Sequence, residues 1–529
     1  MSRKERVLYM ILILMGIASS LIFAAWWFQP QHIPHNFTRY SHFWDILLFF
    51  TLSYIVWYQI INELFYWLNA FYMRKVLPTQ PEPGLSVAFL TAFVAQNEPY
   101  DVLEKNLKAM VAVEYPHDTW LLDEGNDPIA KTICKKYGVH HFSRKGITHY
   151  NTSEGEFKQK TKGGNYNSWF DTHGIKYHIV AQVDVDFIPK KNFLTETLGY
   201  FKDPKVAFVG TPQIYGNQSD SWIARGAAEQ AFSFYGPMQR GFNYSSMSLF
   251  IGANHVFRSI AHHEIDGYAG HIVEDHLTGM HIYKKKWKSV YLPKILAVGE
   301  GPSTWDTYFN QQMRWAFGLF HILFNHSPKI YPHLRLRHLF NYIILQQYYF
   351  YGILQFAAIV LLSLYFFFGY NATEMKLVPL VLMYSLLIST QLLISMWLQR
   401  FFVDPKTERG FHIRAKLLNI AVWPIYFLAF LSVITGKKIT YKVTPKGAQS
   451  YSPPQLGLFL PHFVLGLLSA MGLYGGYVTH HLAPHLVFFA VLNTVAMLGF
   501  CLYAVWKNIV YILSSTEISR LNPLRLKLR

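Results

Sequence analysis

Two aspartates stand two positions apart at the end of a short apolar run near the middle of the chain. The run from 179 to 185 predicts a buried β-strand, and Asp184 and Asp186 lie where it ends. Carboxylates placed this way can hold a divalent cation, Mg²⁺ or Mn²⁺, that neutralises a nucleotide diphosphate. An isolated Asp-x-Asp is more often a solvated turn, so the position after a strand is what favours a metal site.

Two earlier apolar runs also lead to carboxylates. The run from 85 to 93 leads to Glu98, and the run from 120 to 122 leads to Asp123 and Glu124. Such groups can accept hydrogen bonds from a uracil imide and from ribose hydroxyls. Taken singly, Glu98 is better explained by a turn and Asp123 by a helix cap. The series of strand ends favours a nucleotide site.

An acidic pair and an Arg-Trp pair follow downstream. Asp275, beside Glu274, could accept a proton from an attacking sugar hydroxyl, although an acidic first turn of a helix is the alternative. Arg314 could grip diphosphate oxygens while Trp315 stacks on an acceptor sugar. An aromatic anchor at a membrane interface explains Trp315 equally well.

Alternating apolar runs and helical or polar stretches must position these groups. Between about 73 and 340 this alternation predicts an α/β domain with a mainly parallel sheet. Ligands in such sheets bind at the carboxyl ends of the strands. The candidate residues should therefore meet at one edge of the sheet.

Long apolar runs flank this domain and predict a multi-pass membrane protein. Hydrophobic residues make up 51% of the 529 residues, and the first run is longer than the core of a signal peptide. We predict two spanning helices in 1–72, a cytoplasmic catalytic domain in 73–340, two spanning helices in 341–399, and two more with a basic cytoplasmic tail in 456–529. The remaining segment, 400–455, is predicted to be cytoplasmic.

The apolar run at 417–435 leaves two topologies open. If it crosses the membrane, the basic loop at 436–446 and the tail at 520–529 lie outside, against the positive-inside bias. An interfacial helix keeps both segments in the cytoplasm and gives six spanning helices, which is the topology we predict. Run length alone does not exclude a seventh span.

The charge and the cysteine content favour no class of protein other than the multi-pass membrane protein predicted above. The formal net charge is +17, but the basic residues are spread over loops beside apolar runs rather than gathered in a recognition helix, so we expect no nucleic acid partner. An anionic substrate and the positive-inside bias account for this charge. Cys134 and Cys501 are far apart and indicate neither a disulfide framework nor a cysteine metal site.

The order of these motifs resembles that of the processive family 2 glycosyltransferases, most closely the bacterial cellulose synthase catalytic subunit and its curdlan synthase relatives. In that family a lysine in a Lys-Ala-Gly-type segment accompanies the strand-end carboxylates around UDP. The resemblance therefore implies that the donor and its cation bind at Glu98, Asp123, Lys162, Asp184 and Asp186. Glu124 departs from the family pattern, which has an aspartate at that position.

The resemblance also implies roles for the later motifs. Asp275 corresponds to the general base of an acidic motif that includes Glu274. The Gln-x-x-Arg-Trp motif of the family is present as Gln311, Arg314 and Trp315, with the first two beside UDP and the tryptophan on the acceptor.

A further segment, 441–447, resembles the gating loop that closes over UDP-sugar in cellulose synthases. It contributes Thr444 and Lys446 to the implied donor site and favours glucose as the sugar. Chitin and hyaluronan synthases share the earlier motifs but lack this loop.

The implied fold is an α/β, GT-A-like, mainly parallel cytoplasmic domain inserted between transmembrane α-helices of the plasma membrane. The implied activity is processive, inverting synthesis of a β-linked glucan, either cellulose-like β-1,4 or curdlan-like β-1,3, from UDP-glucose with a divalent cation. The expected partners are the UDP-sugar donor, the growing polysaccharide, the lipid bilayer and accessory export proteins. Three alternatives remain: a chitin-like or hyaluronan-like synthase using UDP-N-acetylglucosamine, a non-processive lipid-linked glycosyltransferase, and a transporter or scaffold that only binds nucleotide.

Overall fold

The computed structural model describes residues 1–37, 42–437 and 453–525, and from residue 514 onward it describes the backbone alone. Thr444 and Lys446, predicted at the donor site, lie outside the described residues. The helices are α1 (Arg3–Trp27), α2 (His42–Phe71), α3 (Tyr100–Val111), α4 (Pro128–Tyr137), α5 (Lys162–His173), α6 (Phe193–Thr197), α7 (Trp222–Ser233), α8 (Gln239–Phe242), α9 (Ser259–Glu264), α10 (Glu274–Lys284), α11 (Trp305–Asn325), α12 (Ser327–Ile330), α13 (Leu336–Gln347), α14 (Tyr351–Phe368), α15 (Leu377–Leu398), α16 (Ile413–Ile434), α17 (Leu460–Thr479) and α18 (Pro484–Arg525).

In the described part of the chain, ten strands form two sheets. They are β1 (Val87–Phe93), β2 (Asp118–Asp123), β3 (His140–Phe142), β4 (Ile179–Gln182), β5 (Ile188–Pro189), β6 (Val206–Gly210), β7 (Ile214–Tyr215), β8 (His255–Arg258), β9 (Lys288–Tyr291) and β10 (Ala297–Gly299). The larger sheet has the order β3-β2-β1-β4-β8-β6-β9, and the smaller has the order β5-β10-β7. In the larger sheet only β8 runs antiparallel to its neighbours. The predicted α/β domain with a mainly parallel sheet is thus confirmed.

Strand β1 explains why the sheet is covered by helices on both faces. Its side chains alternate between two apolar clusters, with Ala88 and Leu90 in one and Phe89 and Phe93 in the other. Side chains of successive strand residues point to opposite faces, and all four of these residues are fully buried. A strand buried on both faces reads as a continuous apolar run, which is why the sequence indicated it without a polar alternation.

Seven helical stretches within the described residues are long and apolar enough to cross a membrane. They are Arg3–Trp27, His42–Phe71, Leu336–Phe368, Leu377–Phe401, Ile413–Ile434, Leu456–Thr479 and Pro484–Leu513. The stretch that we predict to be interfacial, α16, is among them. Its side chains pack against the α/β domain, where Tyr426 donates a hydrogen bond to the Gln312 side chain of α11 at 2.7 Å. This contact favours the interfacial placement, which stays a prediction.

A fully buried arginine organises the loop between β3 and α5. The Arg144 guanidinium makes two contacts with the Glu124 carboxylate, Nε to Oε2 at 3.2 Å and Nη2 to Oε1 at 3.0 Å. It also donates to the backbone carbonyls of Tyr150, Phe157, Lys158 and Thr161. Glu124 therefore has a structural role, as the ion-pair partner of Arg144, that the sequence did not indicate.

We expect Arg144→Met to destabilise the chain strongly. The substitution removes the ion-pair partner of the nearly buried Glu124 carboxylate and one donor from each of four carbonyls, and breaking one partner of a buried ion pair costs about 3–5 kcal/mol. Thermal unfolding of the full chain in detergent measures this as a lower melting temperature. The control is Lys136→Met, which removes an exposed partner of Glu104 and should change the melting temperature little. Equal melting temperatures for the two variants would contradict the structural role of Arg144.

Candidate active site

Three neighbouring parallel strands bring the predicted carboxylates to one edge of the sheet. Strand β1 pairs in parallel with β2, with Phe93 opposite Asp123, and with β4, with Leu90 opposite Gln182. The segments that follow these strands therefore leave the sheet side by side, as expected for a ligand-binding edge.

Asp123 and Glu98 both shape the turns in which they lie. Asp123 is buried, accepts hydrogen bonds from the backbone N–H groups of Gly125 (2.9 Å) and Asp127 (2.5 Å), and contacts the His141 ring at 2.9 Å. Glu98 accepts a hydrogen bond from the backbone N–H of Val94 at 2.7 Å. Their predicted contacts with uracil and ribose are additional to these bonds and stay predictions.

The cap of α4 comes from Asp127 rather than from Asp123. The Asp127 side chain accepts hydrogen bonds from the N–H groups of Ile129 and Ala130, and Pro128 occupies the first turn. Aspartate followed by proline is a favourable start for a helix. The reading of Asp123 as a helix cap is therefore wrong, and its carboxylate remains at the end of β2.

Lys162, Asp184 and Asp275 form one connected group around the backbone of Gly252. The Lys162 ammonium donates to the Asp184 carboxylate at 2.5 Å and also to the carbonyl oxygen of Gly252. The N–H of the same glycine donates to Asp275 Oδ2 at 2.9 Å. Residues that are more than a hundred positions apart in the sequence thus meet within two hydrogen bonds of one another.

Close packing at two glycines fixes Lys162 at the start of α5. A Cβ on Gly164 would lie 2.6 Å from Nη1 of Arg144 and from the carbonyl oxygen of Glu156, and a Cβ on Gly163 would lie 3.4 Å from Tyr268. Because Arg144 also binds the carbonyl of Thr161, the residue just before Lys162, the loop and the helix start are held together. At Gly164 a larger residue would collide with this loop, whereas the neighbours of Gly163 lie at ordinary van der Waals distance.

The Asp-x-Asp motif lies in a turn that is stabilised by hydrogen bonds from α3. Asn106 donates to the backbone carbonyls of Asp184 (3.3 Å) and Phe187 (2.7 Å). Asp186 is buried and accepts a hydrogen bond from the N–H of Glu300 at 3.3 Å, whereas the Asp184 side chain is partly exposed. Two carboxylates on one turn offer the hard oxygen ligands that Mg²⁺ or Mn²⁺ requires, so the donor set fits the predicted cation.

The acidic pair at the start of α10 has a raised proton affinity. Burial raises the pKa of Asp275, and burial together with the nearby Asp275 raises the pKa of Glu274 to about 7. The positive charges of Lys162 and Arg314 act in the opposite direction on both carboxyls.

Helix α11 carries the Gln-x-x-Arg-Trp motif beside the N-terminus of α10. A Cβ on Gly318 would lie 2.5 Å from Val273, so the bare helix surface at this glycine lets the segment before Glu274 approach. Trp315 is half-buried and packs against both the α/β core and the cluster that contains α16. Gln311 lies on the same helix, partly accessible to solvent.

Sequence reasoning missed Gln182 and Gly252. The buried Gln182 side chain donates to the Gly252 carbonyl at 3.1 Å and accepts from the Tyr268 hydroxyl at 2.9 Å. A glutamine at the end of an otherwise apolar strand was a usable signal for Gln182. Gly252 acts through its backbone, and no residue pattern marks it.

The mainly parallel sheet, the sheet-edge carboxylates and the helix start at Lys162 agree with the predicted GT-A-like fold. Residues 179–395 match the family described as Glycosyl transferase family group 2. This match agrees with the resemblance of the motifs to family 2 glycosyltransferases.

Curated relatives are cellulose synthases. The chain is 26% identical over 319 residues to the "Cellulose synthase catalytic subunit [UDP-forming]" of Pseudomonas fluorescens (strain SBW25), a match covering 58% of this chain and 41% of the relative. It is 25% identical over 270 residues to the "Cellulose synthase 1 catalytic subunit [UDP-forming]" of Komagataeibacter xylinus, covering 49% and 34%. The matches thus span less than half the length of these relatives.

A solved structure with a similar fold is that of the mannosyltransferase PcManGT from Pyrobaculum calidifontis in complex with GDP-Man and Mn²⁺. It is 14% identical, has a TM-score of 0.45, and the match covers 70% of this chain and 99% of that chain.

Proposed function

We propose that this chain polymerises a β-linked glucan from UDP-glucose on the cytoplasmic side of the plasma membrane and passes the polymer through its membrane helices. The observation that carries the proposal is the group in which Lys162, Asp184 and Asp275 meet at Gly252. It joins the predicted donor site to the predicted base. The cellulose synthase relatives support the choice of UDP-glucose and of a processive reaction.

The donor half of the site is built for a diphosphate. Asp184 and Asp186 would hold a divalent cation, which when bound neutralises the diphosphate of UDP. Lys162 and Arg314 add fixed positive charge on the same side, which stabilises UDP as it leaves. Glu98 and Asp123 are proposed to contact the nucleoside. Thr444 and Lys446 are proposed to close over it.

The base half of the site is built for one proton transfer. As an acceptor hydroxyl attacks the anomeric carbon, Asp275 takes the hydroxyl proton, and UDP departs with the electrons of the sugar–phosphate bond. The N–H groups of Gly252 and His276 hold the Asp275 oxygens at 2.9 and 2.8 Å, and this orients the carboxylate. A single displacement of this kind inverts the anomeric configuration and needs no covalent sugar–protein intermediate.

We propose that the acceptor binds on the side of the site that faces the membrane helices. Trp315 offers an indole face to a sugar ring, and its helix α11 packs on α16, so the growing end would lie where polymer can pass between helices. We propose that 1–72, 341–399 and 456–529 supply the spans, that 73–340 is the cytoplasmic catalytic domain, and that 400–455 is the cytoplasmic segment carrying the gating loop. Gln311 is proposed to contact the donor.

The test is synthesis by the purified full chain in lipid nanodiscs. Labelled UDP-glucose, UDP-N-acetylglucosamine and GDP-mannose are supplied separately, and product length and linkage are read by gel filtration and by digestion with β-1,4- and β-1,3-glucanases. Long glucanase-sensitive product from UDP-glucose alone is expected. Polymer from UDP-N-acetylglucosamine alone overturns the glucan assignment, and a single transferred sugar overturns processivity.

The raised pKa of the acidic pair gives the reaction an expected pH dependence. A base works when deprotonated, so kcat/KM falls as pH decreases through the raised pKa of Asp275. Arg314 lowers that pKa, as does Lys162, while Glu274 is the neighbouring acid. Arg314→Gln should therefore move the acid limb of the pH profile toward higher pH, in addition to lowering the rate. The exposed Arg335→Gln is the control, and an unmoved limb in Arg314→Gln would contradict the assignment.

A further inference from the structure

Three histidines converge beside the acidic pair without a part in the reaction described above. Ring nitrogens of His271, His321 and His326 all lie within 4.8 Å of one another. His271 Nε2 is 3.0 Å from His321 Nδ1, and the His326 ring centroid lies 5.6 Å and 5.7 Å from the other two. A hydrogen bond explains the first pair of rings but not the approach of the third.

The cluster lies on the face of α11 that meets the acidic pair. Arg314, Gly318 and His321 are spaced by four and three residues, so they share one side of this helix. Gly318 on that side contacts Val273, and His321 one turn further on contacts His271. His326 follows directly at the end of the helix. The three rings therefore join the segment leading into Asp275 to the helix that carries Arg314.

The geometry fits a small transition-metal ion. Tetrahedral zinc with Zn–N bonds of 2.0–2.1 Å holds its nitrogen ligands about 3.3 Å apart, so the rings need to close by roughly 1–1.5 Å at most. All three side chains are partly accessible to solvent, so an ion can reach them and a water molecule can occupy a fourth position. Imidazole nitrogens favour Zn²⁺ over the Mg²⁺ or Mn²⁺ that suits a carboxylate pair.

We propose that His271, His321 and His326 form a zinc site that clamps the segment before Asp275 to α11. This site is separate from the cation site at Asp184 and Asp186 and does not depend on the proposed reaction. Coordination through His271 Nε2 places that ring's proton on Nδ1, which now accepts the N–H of Val273 at 3.2 Å. Zinc binding therefore replaces this long hydrogen bond with a coordinate bond at His271, three positions before Glu274, the first residue of α10.

The first experiment uses the wild-type full chain in nanodiscs, stripped with chelator and reloaded with Zn²⁺ in the presence of excess Mg²⁺. X-ray absorption at the zinc edge should report three imidazole nitrogen ligands and one equivalent of zinc per chain. An all-oxygen coordination sphere, or no retained zinc, overturns the proposal without any variant.

The second experiment replaces Zn²⁺ with Co²⁺ and follows visible absorption. Four-coordinate cobalt with nitrogen ligands gives an intense band, whereas carboxylate-bound six-coordinate cobalt absorbs weakly. His321→Ala and His326→Ala should lose the band, and both His333→Ala, an exposed histidine outside the cluster, and Asp186→Asn should keep it. Retention of the full band in His321→Ala and His326→Ala overturns the site. UDP-dependent thermal stabilisation verifies the fold of the three histidine variants, and the melting temperature without UDP verifies that of Asp186→Asn.

Discussion

Replacing Asp275 with asparagine is expected to reduce polymer synthesis by about 10²–10⁴-fold, the range that a positioned general base contributes. Asparagine has nearly the same shape and keeps an oxygen that can accept the N–H of Gly252, but it cannot accept the acceptor's proton. Binding of UDP should remain close to that of the wild type, because the donor-side groups Lys162 and Asp184 are untouched. Initial rates of labelled glucose incorporation and calorimetric UDP binding measure the two effects separately.

The matched control for this substitution is Asp203→Asn. Asp203 precedes β6, at the opposite end of the sheet from the site, where it pairs with Lys288 at 2.8 Å. It should leave both synthesis and UDP binding nearly unchanged. Wild-type rates in Asp275→Asn would remove this residue as the base. Joint loss of UDP binding and synthesis would instead indicate a structural role for Asp275.

Local apolar patterns identified the strands but not where they end. The runs predicted at 85–93 and 120–122 correspond to β1 and β2, since both strands are buried on their two faces. The run at 179–185 continues past the end of β4, which stops at Gln182. Val183 and Val185 are buried although they lie in the turn, and burial alone cannot separate a strand from a buried turn. The ladder hydrogen bonds to β1 and β8 decide the boundary.

The residues that hold the site in place are long-range partners, and this explains why sequence reasoning missed them. In the sequence, Arg144 is one basic residue among many. Its structural role depends on contacts with Glu124, twenty positions earlier, and with four backbone carbonyls of a loop. Gly252 works through its N–H and C=O, which every residue possesses. A sequence motif identifies side chains that contact a ligand. Contacts made by backbone N–H and C=O groups can be identified only from the tertiary structure.

The prediction of the membrane topology from the sequence is limited for a different reason. Hydropathy measures whether a helix is apolar enough for lipid, and α16 meets that criterion. A helix buried against a protein surface is also apolar, and α16 packs on α7, where a Cβ on Gly226 would lie 2.6 Å from Leu418. Apolar composition therefore fits both placements, and charge in the flanking loops is the independent argument for the interfacial one.

Replacing Asp186 with asparagine is expected to weaken UDP binding in the presence of Mn²⁺ and to reduce synthesis by about 10²-fold or more, since a bound cation contributes several kcal/mol of charge stabilisation. Asparagine preserves the side-chain volume and the hydrogen bond from the N–H of Glu300, but it removes a charged oxygen ligand. The effect should therefore depend on metal: in EDTA the wild type and the variant should bind UDP equally weakly. The control is Asp118→Asn at the other end of β2, where the carboxylate accepts a hydrogen bond from Tyr177. Equal UDP affinities for wild type and Asp186→Asn in Mn²⁺ would show that this buried carboxylate serves the turn and not the cation.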